Sequence, residues 1–147
     1  MTRVLVIDDD KAVGTAIKMV LEVAGFEVIH ALDCTSGLAA IEKTDFQLIM
    51  IDLFMPGIDG LETIKACRRL DATVPIIAIS GFMPRNGQDP APDFLAMATK
   101  LGANRSLAKP FRPRELLRAV ESCLAEAAKT SQLHATEASP AHQYDLR

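Results

Sequence analysis

Carboxylates, one hydroxyl and one ammonium each follow a short apolar run in this chain. Asp8-Asp9-Asp10 follows Val4 to Ile7, Asp52 follows Leu48 to Ile51, Ser80 follows Ile76 to Ile79, and Lys109 follows Arg105 to Ala108. Gathered together, the carboxylates would repel one another and push a pKa upward unless a cation neutralised them. A metal, an acyl-phosphate chemistry, or both, fit such a set. Mg2+ suits it: the ion takes oxygen ligands in octahedral geometry, keeps several waters, and joins one or two carboxylates to phosphate oxygens. With the metal and Lys109 absorbing charge, Asp52 can attack phosphorus as a carboxylate nucleophile, because phosphoryl transfer is catalysed mainly by positioning and charge stabilisation. Ser80 can then donate a hydrogen bond to the new phosphoryl oxygen.

Taken singly, each group has a plainer reading. Asp8 to Asp10 can cap a helix, with Asp10 in the capping role; Asp52 can be a turn residue, Ser80-Gly81 a loop start, and Lys109 a solvated lysine. The plainer readings weaken if one scaffold delivers all four groups to one edge.

The spacing predicts that scaffold. Apolar runs at Val4 to Ile7, Glu27 to His30, Leu48 to Ile51, Pro75 to Ile79 and Arg105 to Ala108 read as strands, and the first, third and fourth are continuously apolar, as strands covered on both faces are. Helix-period segments separate them. Val13, Ile17, Val20, Leu21 and Ala24 form one stripe that stops at Gly25, and Ser36 to Lys43 is a short second helix. Leu61 to Leu70 is a third, with Arg68 and Arg69 where the dipole favours positive charge. Asp93 to Leu101 is a fourth, ended by Gly102, and Pro113 to Ala127 a fifth. Strand and helix alternating in this way give an α/β fold with an open, doubly wound parallel sheet. Ligands in such sheets bind beyond the carboxyl ends of the strands, where all four groups fall.

Composition bounds the rest. The chain has 147 residues, of which 49% are hydrophobic, enough for one core and too few for two ordinary domains. A net charge of -3 and a pI near 5.6 argue against a surface built to grip nucleic acid or an anionic membrane. Cys34, Cys67 and Cys123 lack the paired spacing of a zinc or redox site and read as small buried hydrophobes in a reducing compartment. His30, His134 and His142 show no ligand spacing and read as surface or packing residues. No apolar stretch approaches the roughly 20 residues of a membrane span, and the start of the chain has no signal-peptide pattern, so the expected location is the cytoplasm.

At the residues Val-Leu-Val-Ile-Asp8-Asp9-Asp10, Leu-Ile-Met-Ile-Asp52-Leu-Phe-Met-Pro56-Gly57-Ile-Asp59-Gly60, Ile-Ile-Ala-Ile-Ser80 and Lys109-Pro110-Phe111, the sequence resembles the receiver domains of two-component response regulators. The resemblance covers about residues 1 to 126 and leaves 127 to 147 as a tail, expected to be disordered. It implies a flavodoxin-like (βα)5 fold with strand order 2-1-3-4-5. It also implies that Asp52 is the phosphoacceptor, Ser80 the switch hydroxyl and Lys109 the phosphate-binding cation. Asp9, Asp52 and the backbone carbonyl of Phe54 would be Mg2+ ligands, with Asp8 in the metal's acidic pocket. A cis peptide before Pro110 is a further family trait. The implied phosphodonor is a sensor histidine kinase or a histidine phosphotransfer protein. The chain would be no enzyme in the ordinary sense, but a self-phosphorylating acceptor with slow autodephosphorylation.

Departures from the family pattern carry their own expectations. Ser106, three before Lys109, stands where many receivers have an aromatic residue that moves inward on switching. Phe54 and Phe82, two residues beyond Asp52 and Ser80, stand at positions that in this family border the path of the hydrolytic water, and are expected to slow phosphate loss. Gly81 to Pro92 is a longer connection than usual, stiffened by Pro84, Pro90 and Pro92, and reads either as a phosphate-responsive lid or partner-selective loop or as a tolerated insertion. The tail is too short for a DNA-binding output domain. The expected output is therefore phosphorylation-dependent binding of a downstream protein or onward phosphotransfer, with no direct nucleic-acid contact. The face of the fourth helix, fifth strand and fifth helix, the usual reader's surface in the family, carries Lys100, Arg105, Arg112, Arg114 and Arg118. Two rival readings remain. One is a pseudo-receiver that only binds proteins. The other is a haloacid-dehalogenase-type phosphohydrolase, which would want an acid/base Asp two residues after Asp52, where Phe54 stands.

Overall fold

The computed structural model describes residues 1–55, 60–81 and 91–145. Five parallel strands, β1 (Arg3–Ile7), β2 (Glu27–Ala31), β3 (Leu48–Asp52), β4 (Ile76–Ser80) and β5 (Arg105–Ala108), form one sheet in the order β2-β1-β3-β4-β5. Helices α1 (Lys11–Val23), α2 (Cys34–Lys43), α3 (Gly60–Leu70), α4 (Ala91–Leu101) and α5 (Pro113–Asp145) alternate with the strands. This is the α/β doubly wound, flavodoxin-like architecture with the expected strand order.

Residue alternation along the strands divides the core into two layers, because successive side chains point to opposite faces. Leu5, Ile7, Ile49, Ile51, Ile76 and Ala78 pack with Leu61, Ile64 and Cys67 of α3 and Ala98 of α4. Val4, Val6, Leu48, Met50, Ile77 and Ile79 pack with Ile17 and Leu21 of α1 and Leu116 and Val120 of α5. Every residue of β3 and β4 is buried, which is why those strands read as unbroken apolar runs.

Local signals set the helix ends. Asp10 caps α1 by accepting from the amides of Ala12 and Val13, and Asp33 caps α2 by accepting from that of Ser36. Gly25 and Gly102 follow α1 and α4 at φ of 99° and 119°, backbone states that side-chain-bearing residues resist. At the edge where the strands begin, Arg68 spans from α3 to the carbonyls of Val74 and Gly102, at 2.5 and 2.6 Å, and to Asn104 Oδ1 at 3.1 Å. The Asn104 oxygen also accepts from the Ile76 amide at 2.8 Å. One guanidinium thereby ties the approaches to β4 and β5 together.

Three helix bounds differ from the sequence reading by two residues or more. α4 starts at Ala91 rather than Asp93, taking in Pro92, because proline is tolerated in a first helical turn. α2 starts two residues earlier, at Cys34, because Asp33 supplies the cap. α5 does not stop near Ala127 but continues to Asp145. Apolar periodicity fades after Ala127, yet Ala, Lys, Gln, Leu and Glu there favour helix intrinsically, a preference that a search for apolar stripes does not register. Ala127, Ala128 and Thr130 line one cleft with Gln47, Thr73 and Pro75, so α5 reaches the edge of the sheet where β3 and β4 begin. No helix of the described residues is long and apolar enough to cross a membrane.

Candidate functional site

Parallel pairing brings four strand ends into register. Val6 lies beside Met50, Asp52 beside Ile79, and Ser80 beside Ala108. Asp8 follows β1, Asp52 and Ser80 end β3 and β4, and Lys109 follows β5, so the groups converge at one edge of the sheet. Asp8, Asp52 and Ser80 are buried, Lys109 is half-buried, and Asp9 and Asp10 are exposed.

Lys109 Nζ stands 3.0 Å from Asp8 Oδ2 and 3.3 Å from Asp52 Oδ2. The other oxygens of both carboxylates are held by backbone: the Asp10 amide donates to Asp8 Oδ1 and the Phe54 amide to Asp52 Oδ1, each at 2.9 Å. Lys109 is itself anchored through its amide to the Ser80 carbonyl at 2.8 Å, and the peptide bond that follows it, to Pro110, is cis. On the α3 side, a Cβ on Gly60 would lie 2.3 Å from Leu53 Cα and 2.5 Å from the Asp52 carbonyl oxygen. Only glycine allows α3 to start this close to the loop after Asp52.

Burial pushes the Asp52 carboxyl up to about 6; the Phe54 amide opposes this, the Asp8 charge adds to it, and the Lys109 ammonium opposes it. Burial lowers the Lys109 ammonium, but the carboxylates of Asp8 and Asp52 more than offset that and hold it above the ordinary lysine value. One ammonium facing three carboxylates leaves a net negative pocket, and the physical remedy is a cation.

The residues fit a hard divalent ion. One oxygen from each of Asp8, Asp9 and Asp52 lies within 4.8 Å of the others, an all-oxygen donor set. Asp8 Oδ2 is buried and, although paired in charge with Lys109, has no well-directed hydrogen bond, so a lone pair faces the pocket. A divalent ion held there would neutralise the pocket's negative charge.

The other expected site residues are accounted for as follows. Asp10 is the cap of α1. Phe54 is half-buried, and its Cδ2 would be 3.8 Å from a Cβ on Gly81, which places its ring by the exit of β4. Ser106 is an exposed residue of β5 paired with Ala78. Lys100, Arg112, Arg114 and Arg118 are exposed, whereas Arg105 is ion-paired with Glu126. Cys34, Cys67 and Cys123 are buried free thiols, and burial pushes Cys67 up to about 12 and Cys123 up to about 11, which keeps both protonated. Phe82, Pro56-Gly57 with Asp59, and residues 82–90 of the long connection lie outside the described residues; its last residues, Ala91 and Pro92, open α4. Sequence reasoning missed His30, whose ring reaches the Asp8 main-chain oxygen.

Comparison with known proteins bears on the fold and the family. The family model described as "Response regulator receiver domain" matches residues 4–121. The chain is 30% identical over 146 residues to transcriptional regulatory protein CpxR of Klebsiella pneumoniae, covering 99% of this chain and 59% of that protein. It is 28% identical over 122 residues to the transcriptional regulatory protein YkoG of Bacillus subtilis, covering 83% of this chain and 50% of that one. The chain thus spans about half the length of the curated relatives it matches. Among solved structures, a CheY-like receiver domain protein from Methanospirillum hungatei superimposes with a TM-score of 0.79 at 29% identity, covering 88% of this chain and 98% of that one.

Proposed function

The chain belongs to the response regulator receiver domain family, and from that premise we propose that Asp52 accepts a phosphoryl group, with Mg2+ held by Asp8, Asp9, Asp52 and the Phe54 carbonyl. Receiver domains are the phosphoacceptors of two-component signalling and take phosphate from a histidine kinase or a phosphotransfer protein. The observation that carries the proposal is the buried Asp52 carboxylate, 3.3 Å from Lys109 Nζ and grouped with Asp8 and Asp9.

In the proposed reaction one carboxylate oxygen of Asp52 forms a bond to phosphorus while the donor's phosphorus–nitrogen bond breaks, and the imidazole leaves with the electron pair. Lys109 holds the phosphoryl oxygens by charge. Ser80, ending the strand beside Asp52, donates its hydroxyl to one of them. The output is phosphorylation-dependent protein binding or onward phosphotransfer, read on the face of α4, β5 and α5. Phosphorylation acts there by shifting a conformational equilibrium that only a discriminating partner reads.

Intact mass after incubation with acetyl phosphate tests the proposal. A gain of one phosphoryl group that needs Mg2+ and vanishes in Asp52→Ala supports it; no gain in the folded protein favours a module that only binds proteins. The ring of Phe54 beside the site is expected to exclude the hydrolytic water. Asp52 phosphate should therefore last minutes or longer, and Phe54→Asn should shorten its lifetime several-fold, about 3- to 10-fold, in the same mass assay. Decay within seconds in the wild type would remove this role.

A further inference from the structure

Beyond the carboxylates, one half-buried side chain grips the turn that carries two of them. His30 of β2 places Nε2 2.8 Å from the main-chain oxygen of Asp8. A carbonyl oxygen only accepts, so the ring nitrogen donates. The register explains the reach: His30 pairs with Val6, two residues before Asp8. The Asp8 amide donates to the Ala31 carbonyl at 3.1 Å. Both main-chain groups of Asp8 are thus held by β2, one by its backbone and the other by the His30 ring.

Helix α1 supplies the room. A Cβ on Gly14 would lie 1.9 Å from His30 Cε1 and 2.2 Å from Nε2, so any larger residue there evicts the ring. With Asp8 Oδ1 fixed by the Asp10 amide, the remaining oxygen, Oδ2, is directed toward Lys109 and the pocket.

We propose that His30 is a positioning residue for the divalent metal. Through the Asp8 main-chain oxygen it sets where Asp8 and Asp9 present their carboxylates, and Gly14 is the space that admits its ring. The inference rests on the reading of Asp8, Asp9 and Asp52 as the metal pocket.

Mn2+ titration of the full chain, followed by the electron paramagnetic resonance signal of free Mn2+ and by Mg2+ competition, tests it alongside thermal unfolding without metal. His30→Phe keeps a ring and loses the donor. His30→Gln carries a nitrogen donor the same number of bonds from Cβ. Gly14→Ala leaves His30 in the sequence and removes its place. His30→Phe and Gly14→Ala should each weaken metal binding about three- to tenfold, while His30→Gln stays within about twofold of the wild type. Packing alone would make His30→Gln lose affinity as His30→Phe does, in step with melting temperature, and that result overturns the proposal. Wild-type affinity in His30→Phe also overturns it. If His30→Phe does not fold, Gly14→Ala against His30→Gln gives the same comparison. Failure of the wild type to bind either ion overturns the metal reading and this inference together; binding that all variants share overturns this inference alone.

Discussion

Asp52 is held under opposing demands: the proposed role as phosphoacceptor needs it ionised, yet it is only 3% exposed. Its pKa is raised from 3.8 to about 6, so between those values the folded protein holds a proton that the unfolded chain has released. This contribution to stability is complete below 3.8 and is lost as pH rises through about 6. The cost at neutral pH is about 3 kcal/mol at most. In metal-free buffer Asp52→Asn should flatten this pH dependence and gain about 1–3 kcal/mol at pH 7, measured by urea unfolding across a pH series. A less stable variant would mean that attraction to Lys109 outweighs the cost of burial. Lys109→Met should have the opposite sign, losing about 2–4 kcal/mol without metal because two buried carboxylates lose their counter-ion, with saturating Mg2+ restoring part of the loss in the same unfolding assay. The acidic and basic members of the site were legible because each ends an apolar run, a local signal. His30 was not: its partner is 22 residues away, and the contact depends on the β1–β2 register and on a missing side chain at Gly14.

Among the elements, β1, β3 and β4 were legible to within a residue or so because burial on both faces leaves few polar residues to blur them. The ends of α2 and α5 were less so. A cap at Asp33 lies outside the apolar stripe, and a helix sustained by propensity has no stripe to read. The start of α3 is set by steric fit. Gly60→Ala would drive a methyl group into the backbone of Asp52 and Leu53, with an expected cost of about 2 kcal/mol or more. It should also slow the proposed Mg2+-dependent phosphorylation, because the displaced backbone carries the proposed acceptor; thermal unfolding and the acetyl phosphate mass assay together check this. Unchanged phosphorylation in a destabilised Gly60→Ala would show that the loop after Asp52 yields without moving the carboxylate.

For the whole molecule, Leu124 is the last of the described residues packed against a core layer, and the Arg105 ion pair reaches Glu126. We therefore expect residues 1–126 to be the folding unit. A chain ending at Ala127 should keep its phosphorylation and melt within about 5 °C of the full chain, since the deletion removes roughly 1 kcal/mol of packing at most. A larger drop would assign the later turns of α5 a structural share in the fold. The course of that helix also bears on how the protein can be used. It starts just past Lys109, at the reactive edge, and passes the opposite edge beside Gln47 and Pro75. At the usual helical rise, Pro113 to Ala127 carries the chain about 20 Å from the pocket. A fluorophore or fused protein attached at the far end of α5 is thus kept clear of the chemistry and can register phosphorylation only through movement of the shaft itself. The far end of α5 is therefore the place to attach a reporter that leaves the site open.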